Sequence, residues 1–386
     1  LRRAAAAVRE TDVPVAFPTE TVYGLGADAG RTAAVKAIFV AKGRPADNPL
    51  IVHVDGLGML RGILRGQKVE GGQTDTADPI PPIYRPLVQR FWPGPLTIIL
   101  PLPPASAAPS PLAPETTATL STFGARMPRS LLALALIRAS GRPLAAPSAN
   151  ASTRPSPTAA EHVVTDLRGK IALVLDGGPC AVGVESTVVD GLVSPPVVLR
   201  PGGVGLEELR GVPGWEDVKV GYKDRAERDE IKEGKGEQRK GPRAPGMKYR
   251  HYAPRAPVLL FEAGTPAPAA EDVAVRAAGA SVGVIRTGTW PRAFGLDITA
   301  AEDLDTAAGT GAPVSGDAAA GPGAEASLRV YDVALGPDTS SVARGLFAAL
   351  RALDECGTGA IYVEGIKEES GSGVAAAVMN RVRKAA

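Results

Sequence analysis

Short apolar runs alternate with segments of helical period through the first ~200 residues, which predicts an α/β fold. Strands are expected over 13–17, 50–54, 96–100, 143–146, 171–175, 185–190 and 197–199, and helices over 31–41, 130–140 and 158–167. Residues 57–84 and 101–119 are rich in Gly, Pro, Ala or Thr, lack a period and read as surface insertions. From 211 to 254 the periodicity is lost and the chain becomes charged, then rich in Pro and Gly, as at a domain boundary. A second β-then-α rhythm follows at 258–261, 271–278, 282–286, 328–334, 341–356, 360–364 and 374–384. It predicts a smaller, parallel, doubly wound Rossmann-like sheet. An Ala/Gly segment at 306–326 interrupts it and is expected to be disordered. The expected division is a domain over 1–210, a linker over 211–256 and a C-terminal domain over 257–386.

Composition changes this picture little. The 386 residues suffice for two cores, and at 44% hydrophobic the chain reads as globular. No apolar run nears the ~18 residues of a membrane span, so no membrane partner is expected. Three histidines (His53, His162, His251) and two distant cysteines (Cys180, Cys356) argue against a zinc site. No metal ligand is expected among the side chains. The cysteine usage fits a reducing compartment, and a cytoplasmic location is the expectation. Because the sequence opens on Leu1, an organelle-directing segment ahead of it stays an open alternative. The net charge of +2 conceals 12 Lys/Arg against 6 Asp/Glu over 219–255. That stretch reads first as a solvated linker and second as a weak RNA contact.

Candidate chemistry gathers where strands end. Phe17-Pro18-Thr19-Glu20-Thr21-Val22-Tyr23-Gly24-Leu25-Gly26 sets hydroxyls, a carboxylate, a phenol and two glycines ahead of a predicted helix. It suits an anion or polar ligand, or is a plain strand-to-helix turn. Lys42 and Arg44, two apart before Pro45 and near Asn48, form a phosphate or carboxylate clamp or simply complement a helix C-terminus. His53 closes an apolar strand, where it packs in the core or opens onto a crevice. Arg126 forks a carboxylate or makes an ordinary salt bridge. In Ala145-Ala146-Pro147-Ser148-Ala149-Asn150, small residues allow close backbone approach while Ser148 and Asn150 offer polar groups, for a ligand or for capping. Ser156, Ser186 and Arg200 also end or interrupt strands. Tyr249, His251 and Tyr252 stand together at the end of the linker, either pinning it or meeting a ligand.

Absent patterns narrow the chemistry. There is no GxxxxGK[ST], and Gly24, Gly26 and Gly30 are spaced GxGxxxG rather than GxGxxG. Three histidines make a Ser-His-Asp arrangement improbable. The remaining hydroxyls, amides and cations work by positioning and charge stabilisation, as in phosphoryl and nucleotidyl transfer.

The ordered motifs Pro18-Thr19-Glu20-Thr21-Val22-Tyr23-Gly24-Leu25-Gly26, Lys42-Gly43-Arg44-Pro45, Pro49-Leu50-Ile51-Val52-His53, Trp92-Pro93-Gly94-Pro95-Leu96-Thr97, Ser148-Ala149-Asn150, Gly183-Val184-Glu185-Ser186-Thr187 and Arg200-Pro201-Gly202 resemble the YrdC-like threonylcarbamoyl-AMP synthases. The Pro-Gly-Met-Lys-Tyr-Arg-His-Tyr-Ala-Pro linker and the tail look like the two-domain version. The resemblance implies a twisted sheet around a deep cationic cleft. It also implies condensation of L-threonine, bicarbonate (or CO2) and ATP, accompanied by Mg²⁺, into threonylcarbamoyl-AMP with release of pyrophosphate. A downstream tRNA threonylcarbamoyl transferase complex would take the product to adenosine-37 of tRNAs reading codons that start with A. Carried over residue by residue, the catalytic signatures fall on Lys42, Arg44, Ser148 and Asn150. Arg44, Asn48, Thr122, Ser148, Ser156, Arg200 and one of Tyr249 and Tyr252 match ATP positions. Thr21, His53, Arg126, Ser186 and the backbone at Ala146 match threonine positions. Two alternatives stand beside this reading: an O-carbamoyltransferase-type relative, and a non-enzymatic RNA-binding protein. The 4% aromatic content offers the latter no stacking platform.

Overall fold

The computed structural model describes residues 1–66, 77–103, 110–222, 251–277, 281–295, 301–303, 328–368 and 373–386. The first domain opens with α1 (Arg2–Glu10), β1 (Val15–Phe17), β2 (Gly24–Asp28), α2 (Thr32–Lys42), β3 (Ile51–His53), α3 (Leu57–Leu64) and α4 (Arg85–Phe91). It continues with β4 (Leu96–Pro101), α5 (Pro114–Thr117), β5 (Thr122–Arg126), α6 (Leu131–Ser140), β6 (Leu144–Ala145) and α7 (Ala160–Leu167). It closes with β7 (Leu173–Val174), β8 (Thr187–Asp190), β9 (Val197–Arg200), α8 (Leu206–Arg210) and β10 (Lys219–Val220). The strands form one mixed sheet in the order β10-β9-β8-β4-β5-β3-β6-β2-β1-β7. His53 pairs with Arg126 across the parallel β3–β5 ladder, so both side chains leave the same face of the sheet.

Local chemistry sets several of these ends. Helix α2 stops at Gly43, whose φ of 61° is the left-handed cap that glycine adopts without strain. Ser130 caps α6 by accepting from the Ala133 amide.

The second domain contains β11 (Val258–Phe261), α9 (Ala270–Ala277), β12 (Val282–Arg286), β13 (Ala301–Asp303), β14 (Val330–Ala334), α10 (Thr339–Glu355), β15 (Ala360–Glu364) and α11 (Gly373–Ala385). Its sheet is wholly parallel in the order β11-β15-β12-β14-β13, as the apolar strands and intervening helices predict. Among the described residues no helix is long and apolar enough to cross a membrane.

Four expectations need correction. The stretch after Phe17 turns back as β2, antiparallel to β1, instead of feeding a helix directly. Its glycines make room for an aromatic ring: a Cβ on Gly26 would lie 2.6 Å from Phe17, and one on Gly24 2.9 Å. Residues 57–84 are not merely an insertion, since α3 buries Met59, Leu60 and Ile63 in the main core. Likewise Leu112, Ala113, Thr116 and Thr117 are buried within the second presumed insertion, whose low periodicity hid a tightly packed loop and one short helix. Finally, the chain stays in the first domain beyond 211. Trp215 is fully buried against Tyr84, and β10 pairs with β9. The 306–326 segment and Tyr249 lie outside the described residues.

Candidate active site

A cleft opens where β2 begins and where β3 and β5 end. Its walls carry Thr21, Arg44, His53, Arg126, Ala146, Ser148, Asn150, Ser156, Ser186, Arg200 and Tyr252 from the sequence reading. Thr19, Arg154 and Glu185 join them without having been singled out as site residues, and His251, read as pinning the linker or meeting a ligand, lines the cleft as well. Lys42, Asn48 and Thr122 do not line it.

One end is built around Arg126. Its Nη2 donates to Glu20 Oε1 at 2.6 Å, its Nη1 to Thr21 Oγ1 at 2.9 Å and its Nε to the Gly94 carbonyl at 3.2 Å. Glu20 Oε2 accepts the Arg129 amide at 2.9 Å. Burial raises the Glu20 carboxyl, but Arg126 and these hydrogen bonds outweigh it and hold it below its ordinary value. The guanidinium is thus oriented by three acceptors before any ligand arrives. The His53 Nδ1 donates to the Ile51 carbonyl at 3.2 Å. Burial, then the Arg126 charge, push that imidazole to about 3, so it is neutral at physiological pH.

The other end is the Ser148–Asn150 turn and its surroundings. Ser148 Oγ donates to Asn150 Oδ1 at 2.5 Å, while Asn150 Nδ2 donates to the carbonyls of Ala151 and Arg154. Behind the turn, the Lys42 ammonium donates to the carbonyls of Ser148 and Asn150 and to Asn150 Oδ1. Its three donors are therefore committed to protein oxygens. The sequence reading left Lys42 between a phosphate or carboxylate clamp and the complement of a helix C-terminus, and the structure turns its ammonium onto these three oxygens. Burial, then the neighbouring Arg44, pull its pKa down.

Two more groups complete this wall. Ser156 Oγ donates to Glu185 Oε1 at 2.6 Å. Arg200 donates through Nη2 to the Ser186 carbonyl and Oγ, at 2.9 and 3.1 Å.

Two expected ATP residues sit elsewhere. Thr122 begins β5, so about 13 Å of extended strand separates it from Arg126. Asn48 is 1% exposed, and neither of its amide atoms has a hydrogen-bond partner. A buried amide left so costs about 1–3 kcal/mol. Tyr252 lines the cleft, and Tyr249 lies outside the described residues. Glu20 and Glu185 each immediately precede a predicted ligand residue; a carboxylate ahead of Thr21 or Ser186 in a cationic site was the available signal.

Known proteins share the sequence and fold of this chain. Residues 8–202 match the family described as "Telomere recombination", and residues 204–386 match "Threonylcarbamoyl-AMP synthase, C-terminal domain". The threonylcarbamoyl-AMP synthase of Schizosaccharomyces pombe is 45% identical, covering 100% of this chain and 88% of its own. That of Bacillus subtilis is 42% identical, covering 100% and 92%. The structure of Pyrococcus abyssi Sua5 complexed with L-threonine superposes with a TM-score of 0.73 at 39% identity, over 100% of this chain and 93% of that one. The chain belongs to the threonylcarbamoyl-AMP synthase family.

Proposed function

We propose that the protein condenses L-threonine, bicarbonate or CO2, and ATP into threonylcarbamoyl-AMP, releasing pyrophosphate. The observation that carries this reading is the meeting, in one cleft, of an amino-acid end (Thr21, His53, Arg126) and a polyanion end (Arg44, Ser148, Ser156, Arg200). The remaining donors of Arg126 suit the threonine carboxylate, with Thr21 and neutral His53 beside it. Threonine's amine attacks the carbon of CO2 and loses a proton, giving a carbamate. A carbamate oxygen then attacks the α-phosphorus, the bond to the β-phosphate bridging oxygen breaks, and pyrophosphate leaves. No side chain need act as nucleophile. Arg44 and Arg200 counter the charge of the phosphates, and the hydroxyls of Ser148 and Ser156 orient them.

Mg²⁺ enters as a companion of the triphosphate and thus as part of the substrate. Glu185 is the single carboxylate among the lining residues, and its oxygens accept from Ser156 and Arg381. Among the described residues no group of three His, Cys, Asp or Glu could hold an ion. A tRNA threonylcarbamoyl transferase complex is the consumer this product calls for. Incubating the protein with Mg-ATP, L-threonine and ¹³C-bicarbonate, then weighing the nucleotide product, tests the reading. A labelled threonylcarbamoyl adenylate supports it; a labelled adenylate lacking threonine would replace it with a different acceptor chemistry.

A further inference from the structure

Two arginines of the second domain are buried in the first. Arg351 of α10 donates to both carboxylate oxygens of Asp166 on α7, at 3.1 and 2.8 Å. Arg381 of α11, fully buried, donates through Nε to Glu185 Oε2 at 3.0 Å and through Nη1 to the Pro201 carbonyl at 2.7 Å. Its guanidinium also lies 5.7 Å from the centroid of the Tyr252 ring. Glu185 and Tyr252 both line the cleft. The other Glu185 oxygen holds Ser156 Oγ, and Tyr252 stacks on Phe347 of α10 at 5.3 Å. Tyr252 does so with φ at 67°, a conformation an aromatic residue keeps only when its surroundings impose it.

The docking that delivers Arg381 leaves little slack. A Cβ on Gly373 would come within 1.7 Å of the Gly205 Cα, and one on Gly183 within 2.4 Å of the Ala343 carbonyl oxygen. By contrast, the bonds orienting Arg126 and His53 come from Glu20, Thr21, Gly94 and Ile51, all of the first domain.

We propose, on the reading of the cleft as the ATP and threonine site, that Arg381 is a positioning residue for its nucleotide end. It holds Glu185 in place, Glu185 holds the Ser156 hydroxyl, and the same guanidinium seats Tyr252. The second domain thereby completes the ATP wall and leaves the threonine wall to the first domain. Burial raises the Glu185 carboxyl, but Arg381, Arg200 and Ser156 together bring it down to about 2, so the relay carries a full charge at physiological pH.

The test compares wild type with Arg381→Gln, Arg381→Lys, Ser156→Ala and the double variants. ATP affinity is measured by calorimetry, and KM for ATP and for threonine by pyrophosphate release. Arg383→Gln, whose partners Glu262 and Glu368 lie within its own domain, is the control. Arg381→Gln should weaken ATP about tenfold and move the threonine KM less than about twofold. Arg381→Lys should recover about half of that loss, and the control should match wild type. Ser156→Ala should add less than its own full effect to either Arg381 variant, because the two share the Glu185–Ser156 relay while the Tyr252 contact belongs to Arg381 alone. Should Arg381→Gln not fold, Arg381→Lys carries the same comparison. Equal rises in both KM values, or full additivity with Ser156→Ala, would overturn the proposal. A wild type without threonine-dependent turnover would instead remove the reading on which it rests.

Discussion

The Lys42 ammonium donates to the carbonyl oxygen of Ser148, across 106 positions of sequence. The contact joins the end of α2 to the turn after β6, and the ammonium fastens that turn from behind. Lys42→Ala would leave the carbonyls of Ser148 and Asn150 without this donor, while Asn150 Oδ1 keeps the Ser148 hydroxyl. The expected cost is about 1–3 kcal/mol, or a melting temperature lower by about 2–8 °C, with turnover reduced at least tenfold. Ser148→Ala removes a hydroxyl that faces the cleft, so turnover should fall with the melting temperature nearly unchanged. Thermal melts paired with steady-state rates separate the two.

Arg126 and Glu20 form a buried ion pair, 5% and 6% exposed at the side chain. Removing one partner of such a pair costs about 3–5 kcal/mol, whereas Glu20→Gln keeps the shape and one of the two acceptor oxygens. This variant should fold, lose Arg126 alignment and raise the threonine KM about tenfold while sparing the ATP KM. A parallel change in both constants would mean that Arg126 does not address threonine alone.

Acid should weaken the fold early. Burial is the leading cause that depresses all three histidines, His53 and His162 to about 3 and His251 to about 4. Unfolded imidazoles take up a proton near 6.5, so below that pH the unfolded chain binds more protons and is favoured. Urea midpoints should therefore begin to fall near pH 6.5 and continue falling toward pH 4, before the carboxylates add their share. A midpoint flat from pH 7 to pH 5 would show that these rings are not held neutral.

Gly26→Ala tests the corrected role of the first motif. The added methyl meets the Phe17 ring, and overpacking of this kind costs about 1–3 kcal/mol. Activity per folded molecule should be preserved, as measured by active-site titration. A loss of specific activity at full folding would return the glycine to the ligand.

Much of this was legible in the residues. Apolar runs located β3, β4, β12 and β15 because each buries a continuous strand, and the strand-end position of His53 foretold its place at the cleft. The α3 helix was obscured because Gly58 and Gly62 weaken its helical signal, although Met59, Leu60 and Ile63 keep the spacing. Trp215 was lost in a charged context, where one aromatic ring anchors a segment that composition reads as linker. Lys42 stayed open between a clamp and the complement of a helix C-terminus because spacing shows which side of the backbone a charge leaves, not which carbonyls await it. Arg381 and Arg351 could not be read at all. Their partners Glu185 and Asp166 lie 196 and 185 positions away, and only the docking of the two domains brings them together.

The most direct measurement is pyrophosphate release from Mg-ATP and bicarbonate, with and without L-threonine. A cleft that holds the amino acid against the nucleotide's phosphates should release pyrophosphate only when threonine is present. Equal release in its absence, from folded protein, would contradict that shared site.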